Sequence, residues 1–550
     1  MSLRFVALSG TTNVAENMYV YEYEDDMIVV DCGVGFPESD MYGVDLVIPD
    51  FTYIKERRSK LRAIVITHGH EDHMGAVPFL VREIGEIPIY CTRLVAGFLQ
   101  NKFEEAGIKS NYVNVFDPDK DEIDLGIFRI VPFRISHSVP DTVGFCIETP
   151  DGNIFHIADF KFDWSPVDGK PFDVAKVATL ASSGVLALAS DCLGSTNPGY
   201  TKSEREIEKQ ILSIVEGAKR QVLFTTISSN ISRIQQAINV AILTDRKISL
   251  IGRSIDSKFK IAQKLGYVNS PKNLIIPLHE IIKLPEKKRM YIISGSYGQP
   301  TSALYKVALG EHKTIIVGKD DVVIFSSDPG PPGSKDSIDF VVDRLIELSA
   351  DVHYYDMQED LHVSGHGCVK DIEMLFGLVK PKYYIPIGGT IRQMHAAKDI
   401  AVRMGIAESN VFELGEGGVI EFSNGIGHQK ESINTKKILV DGLGIGDVGN
   451  VVLRDRQTMA TDGIAIILLK IDSTSGKLVE VPEIISRGFV FEVKMKKILD
   501  KAAKRLKAYL EKKEYRNNYI IKSSATDYLE KFFFSQTGRR PMILPLVVEI

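Results

Sequence analysis

His68-Gly-His70-Glu-Asp72-His73 puts three imidazoles and the carboxylate of Asp72 within six residues, in a chain with only 12 histidines among 550 residues. The apolar run 61–66 directly before it reads as a buried strand. A turn leaving such a strand can aim several neutral nitrogens and one oxygen anion at a single point, which is what a divalent cation requires. Similar punctuation recurs along the chain. A strand over 27–30 runs into Asp31, one over 128–135 into Ser136-His137, and one beginning at 154 into Asp159. Taken singly each is weak, because a lone Asp after a strand is more often a turn or cap residue. Four strand ends in this order, each with an Asp or His, describe a layered sheet that builds a metal site along one edge. The strands fix the positions and the loops supply the ligands.

A scaffold for such an edge is well within reach of this sequence. A chain of 550 residues is long enough for about three domains. With 44% apolar and 25% charged residues it has an ordinary globular composition. No apolar run approaches the roughly 20 residues of a membrane span, and the start MSLRFVALSG lacks the layout of a signal peptide. Cys32, Cys91, Cys146, Cys192 and Cys368 are scattered, with no CxxC pair, which points to packing thiols in a reducing compartment. The expectation is a cytoplasmic protein with no membrane partner. Its net charge of −6 offers nucleic acid no global attraction, so a polyanion would have to be held by a local positive groove or by metals.

Between 196 and 350, short apolar strands (222–224, 248–251, 290–293, 314–317, 322–325) alternate with helical stretches (203–216, 231–243, 257–265, 302–309). That alternation predicts a parallel, doubly wound α/β sheet. Small polar residues follow its strands: Ser228-Ser229-Asn230, Gly252-Arg253-Ser254, Ser294-Gly-Ser and Ser326-Ser327. Such loops let backbone N–H groups approach phosphate oxygens, although Gly and Ser are also default turn chemistry. The piece from 437 reads as a glycine-rich linker, a strand 463–470, a turn 473–476, a strand 477–481, helix, and a last strand 542–550. Ile498, Ala502, Leu506 and Leu510 share one helix face there. The lysines around them, 496 to 513, read as a solvated surface.

The order Asp31, HxHxDH, His137, Asp159 resembles the metallo-β-lactamase signature, and the resemblance to ribonuclease J, a β-CASP nuclease, runs through nearly the whole chain. It is carried by DMYGVDLVIPD (40–50), SHSVPDT, ADFKFD, STNPGYTKSE (195–204), SSNISRIQQAI (228–238), VIFSSDPGPPG (323–333), HVSGHG (362–367), VDGLGIGDVGNVVLRDR (440–456), PEIISRGFVF (482–491) and the terminal RRPMILPLVVEI. The implied fold is an αββα metallo-β-lactamase sandwich in two parts, 1–195 and 351–436. A β-CASP domain at 196–350 is inserted between them, and a linker with a small α/β oligomerisation domain follows at 437–550.

By the same resemblance, His68, His70, His137 and Asp159 hold one divalent ion, and Asp72, His73 and Asp159 hold a second. Zinc is the first choice, with manganese or magnesium as alternatives. Asp31 orients a ligand from behind, and a hydroxide activated by the two ions attacks the phosphodiester. Ser229, Asn230, Ile231 and the run His362-Val363-Ser364-Gly365-His366 bind substrate. His366 and Glu204 form an acid–base pair for the leaving oxygen, although Glu204 by itself reads as an ordinary early-helix acid. Gly43, Asp45 and Asp441 match a structural calcium site. The implied activity is 5′–3′ exonuclease and endonuclease action on single-stranded RNA, preferably 5′-monophosphorylated, in RNA processing, maturation and decay, by a homodimer or homotetramer.

One position departs from the family pattern. Where ribonuclease J closes the second metal site with a histidine, this chain has Gly388, in Ile385-Pro-Ile-Gly-Gly389, and His395 lies seven residues on in an expected helix, 392–404. A weakened second site follows. It leaves a catalytically weakened RNA-binding scaffold as one alternative, and a small-substrate metallo-hydrolase on the same fold as the other.

Overall fold

The computed structural model describes residues 2–550 apart from 39, 328–333, 356–360, 443, 474, 476, 490, 491 and 513–517, with only the backbone at 492–495. The stretches 323–333, 440–456 and 482–491, the turn 473–476 and Lys513 therefore lie wholly or partly outside the described residues. Two units are distinguished: 1–36 with 47–438, and 37–46 with 439–550.

In the first unit, two sheets face each other. The order across the first is Ile426–Lys430, Gly418–Ser423, Leu3–Ser9, Met18–Tyr23, Asp26–Val30, Leu61–Val65, Ile89–Cys91, Val113–Val115. Across the second it is Tyr383–Ile387, Ala187–Asp191, Ile154–Ile157, Val143–Glu148, Phe128–Arg134, Ile123–Leu125. Alternate residues of both sheets turn inward: Phe5, Tyr21, Ile28 and Val65 from one meet Ile130, Phe145, Ile154 and Ile385 from the other in one buried cluster. The outer face of the second sheet carries Leu188 and Tyr384, packed under Ile372, Leu375 and Phe376 of helix Val369–Val379 and Met394 and Ile400 of helix Ile391–Arg403. Sheets inside and helices outside are the layers expected when each strand has one apolar face and each helix one apolar stripe.

A separate five-stranded sheet lies between residues 222 and 353, in the order Lys247–Ile251, Arg289–Ile293, Val222–Thr225, Val322–Phe325, Asp351–His353. Every pairing in it is parallel. One expectation is corrected here. The run 314–317 forms no strand: Ile315 and Val317 are buried and Ile316 is exposed, as alternation demands, but the Ile316 carbonyl accepts from the Gln221 side chain. The fifth strand is instead Asp351–His353.

In the second unit, Glu483–Arg487, Ile464–Ile471 and Met542–Glu549 form a three-stranded sheet. Helices Glu492–Leu510 and Asn518–Thr537 cover one of its faces through Leu506, Leu510, Leu529 and Phe533. The strand expected at 477–481 reduces to a single bridge at Leu478, and the ladder forms at 483–487. No helix among the described residues is long and apolar enough to cross a membrane.

Candidate metal centre

All the candidate ligands sit just beyond strand ends of the two facing sheets. His68 and His70 follow Leu61–Val65, and Asp72 and His73 occupy the four-residue helix Glu71–Met74. His137 follows Phe128–Arg134 and Asp159 follows Ile154–Ile157. Asp31, completely buried at a φ of 61°, holds the turn from beneath. Its carboxylate accepts Thr67 N and Thr67 Oγ1, both at 2.8 Å, and His73 Nδ1 at 2.8 Å. With Nδ1 donating there, His73 presents Nε2 to the site, which is how a carboxylate behind an imidazole sets its tautomer.

The first donor group is compact. His68 Nε2 lies 3.2 Å from His70 Nδ1, His137 Nε2 lies 3.1 Å from His70 Nδ1, and Asp159 Oδ2 lies 3.5 and 3.4 Å from His68 and His137 Nε2. Four donors around a tetrahedral ion with arms of about 2.0–2.1 Å would stand about 3.3 Å apart, so the spacing fits zinc or an ion of similar size. Each ring is held by its other nitrogen: His68 Nδ1 by Thr67 Oγ1, His70 Nε2 by Ser138 Oγ, His137 Nδ1 by the Gly365 carbonyl at 2.8 Å. Burial pushes His70 and His137 well below the usual imidazole range, so both are neutral and able to ligate.

The second group has three donors. His73 Nε2 is 3.3 Å from Asp159 Oδ1 and 3.6 Å from Asp72 Oδ2. Asp159 thus divides its two oxygens between the groups, as a bridging carboxylate would. Burial opposes its charge, but His73 and His366 hold it well below the ordinary carboxylate range.

Gly388 lies at a φ of +68°, and a Cβ built on it would stand 3.7 Å from Asp191 Oδ1. The position faces the site but offers no donor. His395 does not substitute: it is exposed on the helix surface, 3.2 Å from Glu413. Asp191 and His366 instead make a third group that shares Asp159, with His366 Nδ1 2.8 Å from Asp191 Oδ2 and Nε2 3.9 Å from Asp159 Oδ2. Sequence reasoning missed Asp191, although it carries the same signal as Asp31 and Asp159: an acid at a strand tip, here Ala187–Asp191.

The pairing of Glu204 with His366 is corrected. Glu204 is buried between Lys161 Nζ, at 2.9 Å, and the Arg233 guanidinium. Burial would raise its pKa, but the two cations bring it down to about 2, so it holds no proton to donate near neutral pH. The partner of His366 is Asp191.

A cleft of about 410 Å³ opens onto the donors. His70, Asp72, His137, Asp159 and His366 line one side, and Ser228, Ser229, Ser254, Ser294, Ser296 and Ser302 line the other. Of the expected substrate contacts, Ser229 and His366 face this cleft. Asn230 is the N-cap of helix Ile231–Leu243, its side chain accepting Arg233 N, and Ile231 is completely buried. That corrects both as side-chain contacts. His362, Val363, Ser364 and Gly365 form the loop behind His366. Gly365 packs so closely that a Cβ would lie 2.6 Å from His137 Cε1.

In the second unit, the Arg456 guanidinium is bonded to Asp441 and to the Tyr42 carbonyl beside Gly43, and Asp45 accepts Gly442 N. The calcium expectation is corrected accordingly: an arginine brings the positive charge to Asp441. All five cysteines are buried and unbridged.

Residues 11–193 match the metallo-beta-lactamase superfamily, 219–345 the ribonuclease J beta-CASP domain, and 451–550 the ribonuclease J C-terminal domain. Ribonuclease J2 of Bacillus subtilis (strain 168) is 35% identical over 100% of this chain and 99% of its own. The chain belongs to the ribonuclease J family. Ribonuclease J 1 of Streptococcus pyogenes serotype M3 is 34% identical over 98% of this chain and 97% of its own. Ribonuclease J 2 of Staphylococcus aureus (strain NCTC 8325 / PS 47) is 34% identical over 100% and 98%. A crystal structure described as a protein of unknown function from Enterococcus faecalis V583 matches with a TM-score of 0.53 over 76% of this chain and all of its own; at 13% identity it speaks for the fold alone. The metallo-β-lactamase fold implies divalent metal ions, and the donor spacing above fits them.

Proposed function

We propose that this ribonuclease J family member is a metal-dependent ribonuclease that cuts single-stranded RNA from its 5′ end and internally, in RNA processing, maturation and decay in the cytoplasm. The observation that carries the proposal is the four-donor group, three of whose members line a serine-rich cleft, supported by full-length similarity to proteins named as ribonucleases. His68, His70, His137 and Asp159 would hold one divalent ion, and Asp72, His73 and Asp159 a second. Such ions lower the pKa of a bound water and stabilise the oxygens of an in-line phosphoryl displacement.

The chain supplies the rest. Asp31 fixes the His73 ring, and Asp159 keeps the two donor groups in register. The cleft serines offer hydroxyl and backbone donors to phosphate oxygens, which suits a backbone-tracking site with no demand on base identity. His366, steadied by Asp191, is placed to pass a proton to the leaving oxygen.

In domain terms, 1–195 and 354–436 form the metal lobe, 196–353 the β-CASP domain with strand Asp351–His353 at the edge of its sheet, and 437–550 the linker and oligomerisation domain. A homodimer or homotetramer is supported by the open face of the C-terminal sheet, where Ile485, Leu544 and Leu546 are all exposed.

The test is degradation of a 3′-labelled, 5′-monophosphorylated RNA by zinc- or manganese-reconstituted protein, beside 5′-triphosphorylated and circular RNAs. Stepwise shortening of the monophosphorylated strand and slower loss of the triphosphorylated one are expected, with nicking of the circle for the endonuclease. The three-donor second group favours a second reading, a weakened scaffold. RNA bound but uncut under every divalent metal would replace the nuclease with that scaffold.

A further inference from the structure

We infer that Lys161, Glu204 and Arg233 are positioning residues that hold the 361–366 loop, and with it His366, from beneath; this rests on the ribonuclease reading above. The three come from separate stretches of the chain. Lys161 follows Asp159, Glu204 precedes helix Arg205–Gly217, and Arg233 lies in helix Ile231–Leu243. Lys161 and Arg233 have no exposed side-chain surface and Glu204 only 2%. Two buried cations against one carboxylate leave a net positive charge, which is costly in a dry interior unless further acceptors are supplied.

The loop supplies them. Lys161 Nζ donates to the Ser364 carbonyl at 3.1 Å, and Arg233 Nη1 donates to Ser326 Oγ and reaches the Leu361 carbonyl at 3.5 Å. Ser326 Oγ in turn donates to the Leu361 carbonyl at 3.2 Å. The next two carbonyls are tied as well, Gly365 O to His137 Nδ1 and His366 O to Thr201 Oγ1 at 2.9 Å. Ser364 Oγ accepts the His366 amide at 3.0 Å.

The carbonyls of 361, 364, 365 and 366 are therefore all held from below by side chains, two of them through the ion triad. That fixes the stretch of backbone that presents His366 to Asp191. A simple weld between lobes would need only the Lys161–Glu204–Arg233 bonds. What marks the triad as a positioning device is that both cations direct a donor to this one loop, while Arg233 Nε finds no partner among the described residues. Glu204 acts by keeping both cations in place and transfers no proton itself.

The test compares Glu204→Gln, Arg233→Lys and Ser326→Ala with Glu22→Gln, which disturbs another buried acid, paired with Lys60 away from the cleft. Hydrogen exchange of loop amides 361–367 is read by mass spectrometry, together with thermal stability, kcat, KM and the pH profile on 5′-phosphorylated RNA. For Glu204→Gln and Arg233→Lys we expect loop exchange about tenfold faster or more, kcat lower by about tenfold, a smaller change in KM and an unaltered pH profile. Ser326→Ala, which removes one bridging hydroxyl and keeps the ions, should show the same pattern at roughly two- to fivefold. Glu22→Gln should lower stability alone.

Loop exchange and kcat at wild-type values in destabilised Glu204→Gln would overturn the inference in favour of a weld. So would loss of a limb of its pH profile, which would return Glu204 to catalysis. Should Glu204→Gln fail to fold, Ser326→Ala decides by the same readouts. If the wild type cuts no RNA, the ribonuclease reading fails, and loop exchange still decides whether the triad holds the loop.

Discussion

The two donor groups that share Asp159 differ in one respect. His68, His70, His137 and Asp159 form a four-donor group in which neighbouring donors stand 3.1–3.5 Å apart, whereas Asp72, His73 and Asp159 stop at three. Both sit on the same edge and both have their imidazoles steadied from behind, so the scaffold is not what separates them. The difference lies in what the chain brings to the end of strand Tyr383–Ile387. Gly388 stands there with no side chain to contribute, although a Cβ added to it would lie 3.7 Å from Asp191 Oδ1. A rigid sheet edge can thus prepare two sites equally well and still leave them unequal through one residue.

Asp159→Ala attacks what the groups have in common and should have the largest effect. Both ions should be lost, and RNA cleavage should fall by about a thousandfold or more, measured as turnover alongside metal content. Ordinary turnover in that variant would end the shared-carboxylate assignment.

The contrast itself is tested by single-ligand changes. His137→Ala should remove the tighter ion and weaken its binding by at least about a hundredfold, while His73→Ala should affect only the weaker one. Equal losses in equilibrium dialysis would merge the groups. A smaller effect, about ten- to a hundredfold on the second ion alone, is expected for Asp31→Asn, because the His73 ring loses its anionic support. If the first ion weakens as much, Asp31 organises the whole edge.

Gly388→His is the gentlest change and the most pointed. A side chain at φ +68° should cost about 1–2 kcal/mol of stability in chemical denaturation. Its Cβ starts on the site side of the backbone, so the second ion should bind more tightly. Unchanged affinity would mean that residue 388 does not govern the asymmetry.

Much of the metal edge was legible in the sequence because its chemistry is local. HxHxDH is contiguous, and Asp31, His137 and Asp159 each follow an apolar strand within two residues. The partnerships were harder to see, because they join residues far apart in the chain. Glu204 could be read as a helix-start acid or as a catalyst, and nothing local announced Lys161 and Arg233 as its neighbours. Asp191, 175 positions from His366, stood at a strand tip without a motif around it. The same limit applies to strands. The run 314–317 alternates correctly, but a ladder needs a partner, and the Gln221 side chain took the Ile316 carbonyl instead. In the second unit, the arginine that reaches Asp441 comes from 15 residues further along the chain, and a carbonyl-and-carboxylate set was read as a cation site without it.

The most direct test of the account is a metal titration of the apo protein with zinc and with manganese, following ions bound per chain. Two classes of site are predicted: one tight ion that requires His137, and one weaker ion that requires His73 and strengthens in Gly388→His. Two ions of equal affinity, or a single ion insensitive to His137→Ala, would contradict it.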